Sequence, residues 1–113
     1  MKRGEVWLVD FNPTRGAEIQ KIRPAVIISS DAVGKLPLRI IVPLTGWKAT
    51  FDRLPWMIPV QPTPGSGLTK KSAADAFQVR SVSTARLVKR LGALSDAIMT
   101  AIAAGVAICI EYR

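Results

Sequence analysis

The chain has 113 residues, 49% of them hydrophobic, which suits a single domain over 1–113 with a modest core. Sixteen lysines and arginines against eight acids give a formal net charge of +8, a balance that favours polyanionic partners; the plainer reading is a basic surface that serves solubility. With no histidine and one cysteine, Cys109, the composition excludes an intrachain disulfide, cysteine-built or zinc centres, and Ser-His-Asp triads.

The opening MKRGEVW lacks the apolar segment of a signal peptide. Residues 97–110 are the longest apolar run, but Thr100 interrupts them and they are too short to span a membrane. A cytoplasmic protein with no membrane partner is expected.

Residues 5–10, EVWLVD, mix β-branched and aromatic residues over a strand's length, and 12–16, NPTRG, read as a turn. The runs 25–28, AVII, and 38–44, LRIIVPL, predict buried strands joined through 31–37. Residues 46–55, GWKATFDRLP, show no periodicity and predict a long exposed loop. A strand follows at 56–61, made an edge by Pro59, then a rigid turn at 62–67, PTPGSG. Residues 72–79 read as one strand whose alternation puts Asp75 and Phe77 on the same face. Ser83 can cap a helical turn through Leu87, and 88–94 return to the sheet, although Gly92 weakens that reading. Ser95 and Asp96 open a final helix with Ile98, Met99, Ile102, Val106 and Ile110 as its buried stripe. The fold class is mainly β (α+β): a small barrel-like sheet packed by a C-terminal helix.

Within 13–29, PTRGAEIQKIRPAVIIS, a polar loop runs into an apolar strand with Arg23 at the junction. Arg23, with Arg15 and Lys21 nearby and Glu18 as the single acid, forms a plausible phosphate grip. Alternatively Arg23 caps the strand or pairs with Glu18. The segment 46–56 interleaves Trp47, Phe51 and Trp56 with Lys48 and Arg53, a pattern that serves single-stranded RNA; the same rings can instead close a core or an interface.

The ordered motifs RGE-x-W, PT-x-G-x-E, RPAV, VPLT and FQVR resemble the MazF/PemK family of toxin endoribonucleases, from Arg3 to the last helix. The resemblance implies an SH3-like barrel of the CcdB/PemK type, a homodimer, and a groove that binds single-stranded RNA, including mRNA, or a cognate antitoxin. It also implies cleavage without metal or cofactor, with the ribose 2′-hydroxyl as nucleophile. The family's catalytic arginine falls on Arg23 and its threonine on Thr45, while Glu18 matches an acid that can hold the arginine or take a proton. Arg15, Lys21, Trp47, Lys48, Phe51, Arg53, Asp75, Phe77, Gln78 and Arg80 complete the expected RNA-binding set.

The chain departs from the pattern at Phe77, where many members carry an aspartate that in some is an acid–base group. Phenylalanine transfers no proton, so either Asp75 substitutes in part or the group is dispensable. Phe77 itself can stack on a base or pack in the core. Two alternatives follow: a non-enzymatic, CcdB-like inhibitor of DNA gyrase, disfavoured because the ending CIEYR lacks Trp-Gly-Ile, and a catalytically impaired RNA-binding relative.

Overall fold

The β-branched runs build the centre of the sheet because they can be buried on both faces. In the computed structural model, which describes residues 1–13, 15–19 and 21–112, the order is β1 (Glu5–Asp10), β2 (Ile22–Ile27), β3 (Leu38–Gly46), β4 (Met57–Val60), β5 (Ser72–Asp75), β6 (Arg80–Ser83), β7 (Leu87–Ala93) and helix α1 (Asp96–Cys109). Thr14 of the first turn, Gln20, and Arg113 at the end lie outside the described residues. The strands run β4-β5-β3-β2-β1-β7, with β6 also on β3, and every pairing among the described residues is antiparallel.

Alternation along the central strands feeds two cores. Val6, Val26, Val42 and Leu44 point to one face, where Met99 and Ile102 of α1 cover them. Val9, Ala25, Ile27 and Ile41 point to the other, where Phe11, Val82 and Leu87 close over them. Together these observations bear out the mainly β expectation with a C-terminal helix.

The differences from expectation have local causes. Strand β2 begins at Ile22 rather than at residue 25, because pairing with β1 continues through Leu8↔Pro24 and Val9↔Arg23 to Asp10↔Ile22. Arg23 therefore sits inside a strand, not at its mouth. Residues 72–79 are not one strand. They run beside β3 but five residues, 75–79, oppose only Val42 and Pro43 there, and the surplus is looped out as a 3-10 turn over Ala76–Gln78. The segment 46–55 is not irregular either. Strand β3 extends to Gly46, and Ala49–Arg53 form a 3-10 turn. Ser83 caps the short turn Thr84–Arg86 as expected.

Helix α1 starts where Ser95 Oγ accepts the Ile98 N–H. Its stripe holds for Met99 and Ile102, but Ile110 falls on the C-cap and is exposed. Gly105 is buried in its place, since a Cβ there would stand 3.2 Å from Ala76 and Ile58. Gly92, the weak point of the last strand, has a positive reason to be there: a Cβ would lie 2.3 Å from the Gly65 carbonyl oxygen. The 62–67 turn packs directly on β7, and Ala93 N–H donates to that same oxygen at 2.9 Å.

Strands β1 and β7 are also joined by charge. Glu5 Oε1 accepts the Lys2 N–H and the Trp7 indole N–H, each at 3.0 Å, and Oε2 meets Arg90 Nε at 3.2 Å. Burial pushes the Glu5 carboxyl up, but the Trp7 and Lys2 bonds and the terminal ammonium outweigh it and hold the pKa at about 2, below the ordinary 4.5. A carboxyl depressed on folding stabilises the fold above its unfolded pKa and loses that contribution as pH falls through the folded value.

Two stability experiments follow. In urea titrations, Glu5→Gln is expected to cost about 1 kcal/mol at neutral pH, well under the full shift because solvent screens the group, with the gap to wild type closing as pH drops from about 5 to about 2. Gly92→Ala is expected to lower the melting temperature sharply, by several degrees or more, because backbone rather than a side-chain tip occupies the added methyl's place.

Candidate nucleic-acid interface and phosphate groove

Proline supplies the first step in building the site, because it cannot donate to a strand ladder. The last rung between β2 and β3 is Ala25↔Pro43. Beyond it, Pro24 and Arg23 stay with β1, while Leu44, Thr45 and Gly46 turn to β5 through Leu44↔Ala74, Thr45↔Ala73 and Gly46↔Ser72. The two strands splay, and the opening is a groove of about 350 Å³.

Arg23 and Thr45 both line this groove and are both half-buried. The structure thus brings together two residues that lie far apart in sequence. Lys21 and Lys70 line the same groove, which has three cations and no carboxylate among its described lining residues. The Lys70 ammonium lies 3.6 Å from where a Cβ on Gly46 would stand, so the bare glycine lets the cation approach the strand end. Lys21 adopts a left-handed φ of 69°, held by its N–H donating to Asn12 Oδ1 at 3.1 Å and its carbonyl accepting from Phe11 N–H at 3.0 Å. Arg86 reaches across to donate to the carbonyls of Asp10 and Asn12, which anchors the start of that loop. Three cations line one opening, a charge pattern that favours an anion such as a phosphate group.

Glu18, the third residue of the expected catalytic set, lines a neighbouring groove of about 560 Å³ floored by Phe11 and Pro43. Its carboxylate accepts the Arg15 N–H at 2.9 Å and meets Arg80 at 3.9 Å, a half-exposed pair of small energetic weight. Arg80 also lies over the Phe11 ring, 5.8 Å from its centroid. Gln78 in this groove is fully engaged: Oε1 accepts the Ile19 N–H at 2.7 Å, and Nε2 donates to the Ala17 carbonyl at 3.2 Å and to Asp75 Oδ2 at 3.3 Å. It clamps the loop after β1 to the 3-10 turn after β5.

Asp75 and Phe77 do not share a face, because the strand ends at Asp75. Asp75 is 6% exposed and Phe77 65% exposed. Burial pushes the Asp75 carboxyl above its usual range, against the Phe77 N–H and the Gln78 bonds that favour its charged form. Asp75 is an inward-facing cap that accepts the Phe77 N–H at 3.2 Å, and the core reading of Phe77 is overturned.

The aromatic segment is largely satisfied within the chain. Trp47 meets Phe51 edge-on at 5.7 Å, and the Lys71 ammonium sits 4.3 Å from the Trp47 ring centre. Lys48 and Arg53 are exposed, with Arg53 beside a third, mostly apolar hollow bounded by Ala49, Thr50, Asp52 and Leu54. Lys70 and Asn12 escaped the sequence reading. The Lys70-Lys71 doublet after the turn was the signal for the first, whereas the role of Asn12 depends on a bond that sequence does not show.

Among the described residues no group of three His, Cys, Asp or Glu side chains could hold a metal ion, and no helix is long and apolar enough to cross a membrane.

Comparison with known proteins gives this geometry its context. The chain is 36% identical over 103 residues to the endoribonuclease MazF9 of Mycobacterium tuberculosis, spanning 86% of this chain and 85% of that protein. It is 32% identical over 96 residues to the endoribonuclease MazF of Staphylococcus saprophyticus, spanning 85% and 79%. Among solved structures, MazF of Deinococcus radiodurans superposes with a TM-score of 0.80 at 19% identity, covering 98% of this chain and 96% of that one. The toxin MazF-mt6 of Mycobacterium tuberculosis gives 0.77 at 17% identity, covering 96% and 98%. A mycobacterial endoribonuclease solved with its cognate antitoxin gives 0.75 at 21% identity, covering 100% and 97%. Residues 2–110 match the PemK-like, MazF-like toxins of type II toxin–antitoxin systems, and the chain belongs to that family.

Proposed function

We propose that this toxin is a metal-independent endoribonuclease that cuts single-stranded RNA at the groove between β2 and β3. The observation that carries the reading is the joint placement of Arg23 and Thr45 in a groove whose charged residues, among the described ones, are all cations. The ribose 2′-hydroxyl loses its proton to solvent as it attacks the adjacent phosphorus, the bond to the 5′-oxygen breaks, and that oxygen takes a proton from solvent, so that a 2′,3′-cyclic phosphate and a 5′-hydroxyl result. Negative charge builds on the non-bridging oxygens as the new bond forms. The Arg23 guanidinium is permanently charged and can donate two parallel N–H bonds to those oxygens. Thr45 Oγ1 can donate to the same phosphate or orient the attacking hydroxyl. Lys21 and Lys70 position the phosphate backbone, and Arg15 and Arg80 extend the basic track over the neighbouring groove. Glu18, standing in that neighbouring groove beside Arg80, is assigned to substrate positioning rather than to proton transfer.

In its biological setting the active unit is a cytoplasmic homodimer, held silent by a cognate antitoxin that covers the groove. The relatives solved as toxin–antitoxin complexes support a cognate antitoxin as partner. The match to endoribonucleases disfavours the gyrase-inhibitor reading.

Cleavage of a long single-stranded RNA in EDTA tests the proposal. Wild type should cut at discrete sites, Arg23→Ala should lose roughly 10²–10³ in rate, and Thr45→Ser should outperform Thr45→Val. Equal cutting by wild type and Arg23→Ala would remove Arg23 from the chemistry. Binding of a 2′-deoxy oligonucleotide should weaken with salt, and Lys70→Ala should reduce the slope of log K against log salt by about 0.7.

A further inference from the structure

We propose that Phe77 is the stacking platform for one unpaired base adjacent to the scissile phosphate, a role that rests on the ribonuclease reading above. A phenylalanine that is 65% exposed contributes little to the core, yet this one stands on a rigid support. The surplus of residues opposite Val42 and Pro43 lifts the turn Ala76–Gln78 off the sheet. Asp75 caps that turn through the Phe77 N–H at 3.2 Å, and its other oxygen accepts from Gln78 at 3.3 Å. Gln78 in turn bonds Ile19 N–H and the Ala17 carbonyl, so the platform and the opposite loop wall are held in one network. Trp56 braces the ring in a T-shaped contact at 5.9 Å.

The ring lines the 560 Å³ groove whose floor is Phe11 and Pro43 and whose rim carries Glu18 and Arg80. The linings of that groove and the cationic one follow each other along two segments of the chain. Pro43 lines the first and Leu44 and Thr45 the second; Ile19 lines the first and Lys21 the second. Neighbouring residues on an extended strand are about 3.4 Å apart, so Pro43 and Thr45 stand roughly 7 Å apart, and in this role Phe77 seats a base flanking a phosphate at Arg23. Stacking asks only for a flat base face, and a platform fixed in advance loses little entropy on binding. The Glu18 carboxylate at the rim accepts hydrogen bonds, which favours a base edge bearing an amino or imino N–H.

The test compares wild type, Phe77→Leu and Phe77→Tyr on a cleavable RNA and on a series in which each base in turn is replaced by an abasic ribose. One abasic position should cost wild type roughly 5- to 150-fold in kcat/KM, mainly through KM. Phe77→Leu should lose a similar factor on intact RNA and be indifferent to the abasic replacement at that position, and Phe77→Tyr should restore most of the loss. Arg23→Ala should lower the rate alike throughout the series. The stacking role is overturned if Phe77→Leu keeps the wild-type abasic profile, or if it weakens only antitoxin binding. A wild type that cuts no RNA would remove both this role and the ribonuclease reading, whereas normal cutting by Phe77→Leu removes this role alone.

Discussion

Strand β3 changes partners at Pro43, and both grooves depend on that change. Up to Pro43 it is a central strand, paired with β2 on one edge and with β6 on the other. Past Pro43 it leaves β2 and pairs with β5. On the edge that loses its partner, the gap becomes the groove of Arg23 and Thr45. On the other edge, the handover from β6 to β5 leaves surplus chain, which forms the turn that displays Phe77. A proline in mid-strand, ordinarily a defect in a ladder, here marks the place where a sheet stops being continuous and opens a groove.

The electrostatics follow from the same geometry. A net charge of +8 spread through the sequence says little about where an anion would settle. The strand splay gathers Lys21, Arg23 and Lys70 in a groove with no carboxylate among its described lining residues, while acids elsewhere are engaged with other partners: Glu5 between β1 and β7, Asp75 beneath the Phe77 turn, Glu18 beside Arg80. The acids that are most buried thus serve the scaffold, and the charged residues among the described lining of the groove are all cations.

Much of this was legible in the sequence, but unevenly. Strand β1, the caps at Ser83 and Ser95, and the doubly buried runs of β2 and β3 follow from residue type and periodicity alone. The pairing of Arg23 with Thr45 was legible only through motif resemblance, because no local signal links residues on two strands whose ladder has ended. Asp75 and Phe77 were misread because strand alternation assumes equal numbers of residues on both sides of a ladder, and the surplus at 75–79 is visible only once β3 is alongside. Gly105 and Gly92 were opaque for a similar reason: each makes room for a segment distant in sequence. Lys70 reaches the groove across Gly46, a contact between two residues whose own neighbourhoods give no hint of it.

The most direct measurement is a crystal structure of the toxin bound to an RNA of its cleavage motif with a single 2′-deoxy nucleotide at the scissile position, which removes the nucleophile and preserves the phosphate. The account predicts that phosphate in the β2–β3 groove, with a non-bridging oxygen about 3 Å from both the Arg23 guanidinium and Thr45 Oγ1. A scissile phosphate held elsewhere, for example against Lys48 and Arg53 with the β2–β3 groove empty of RNA, would contradict it.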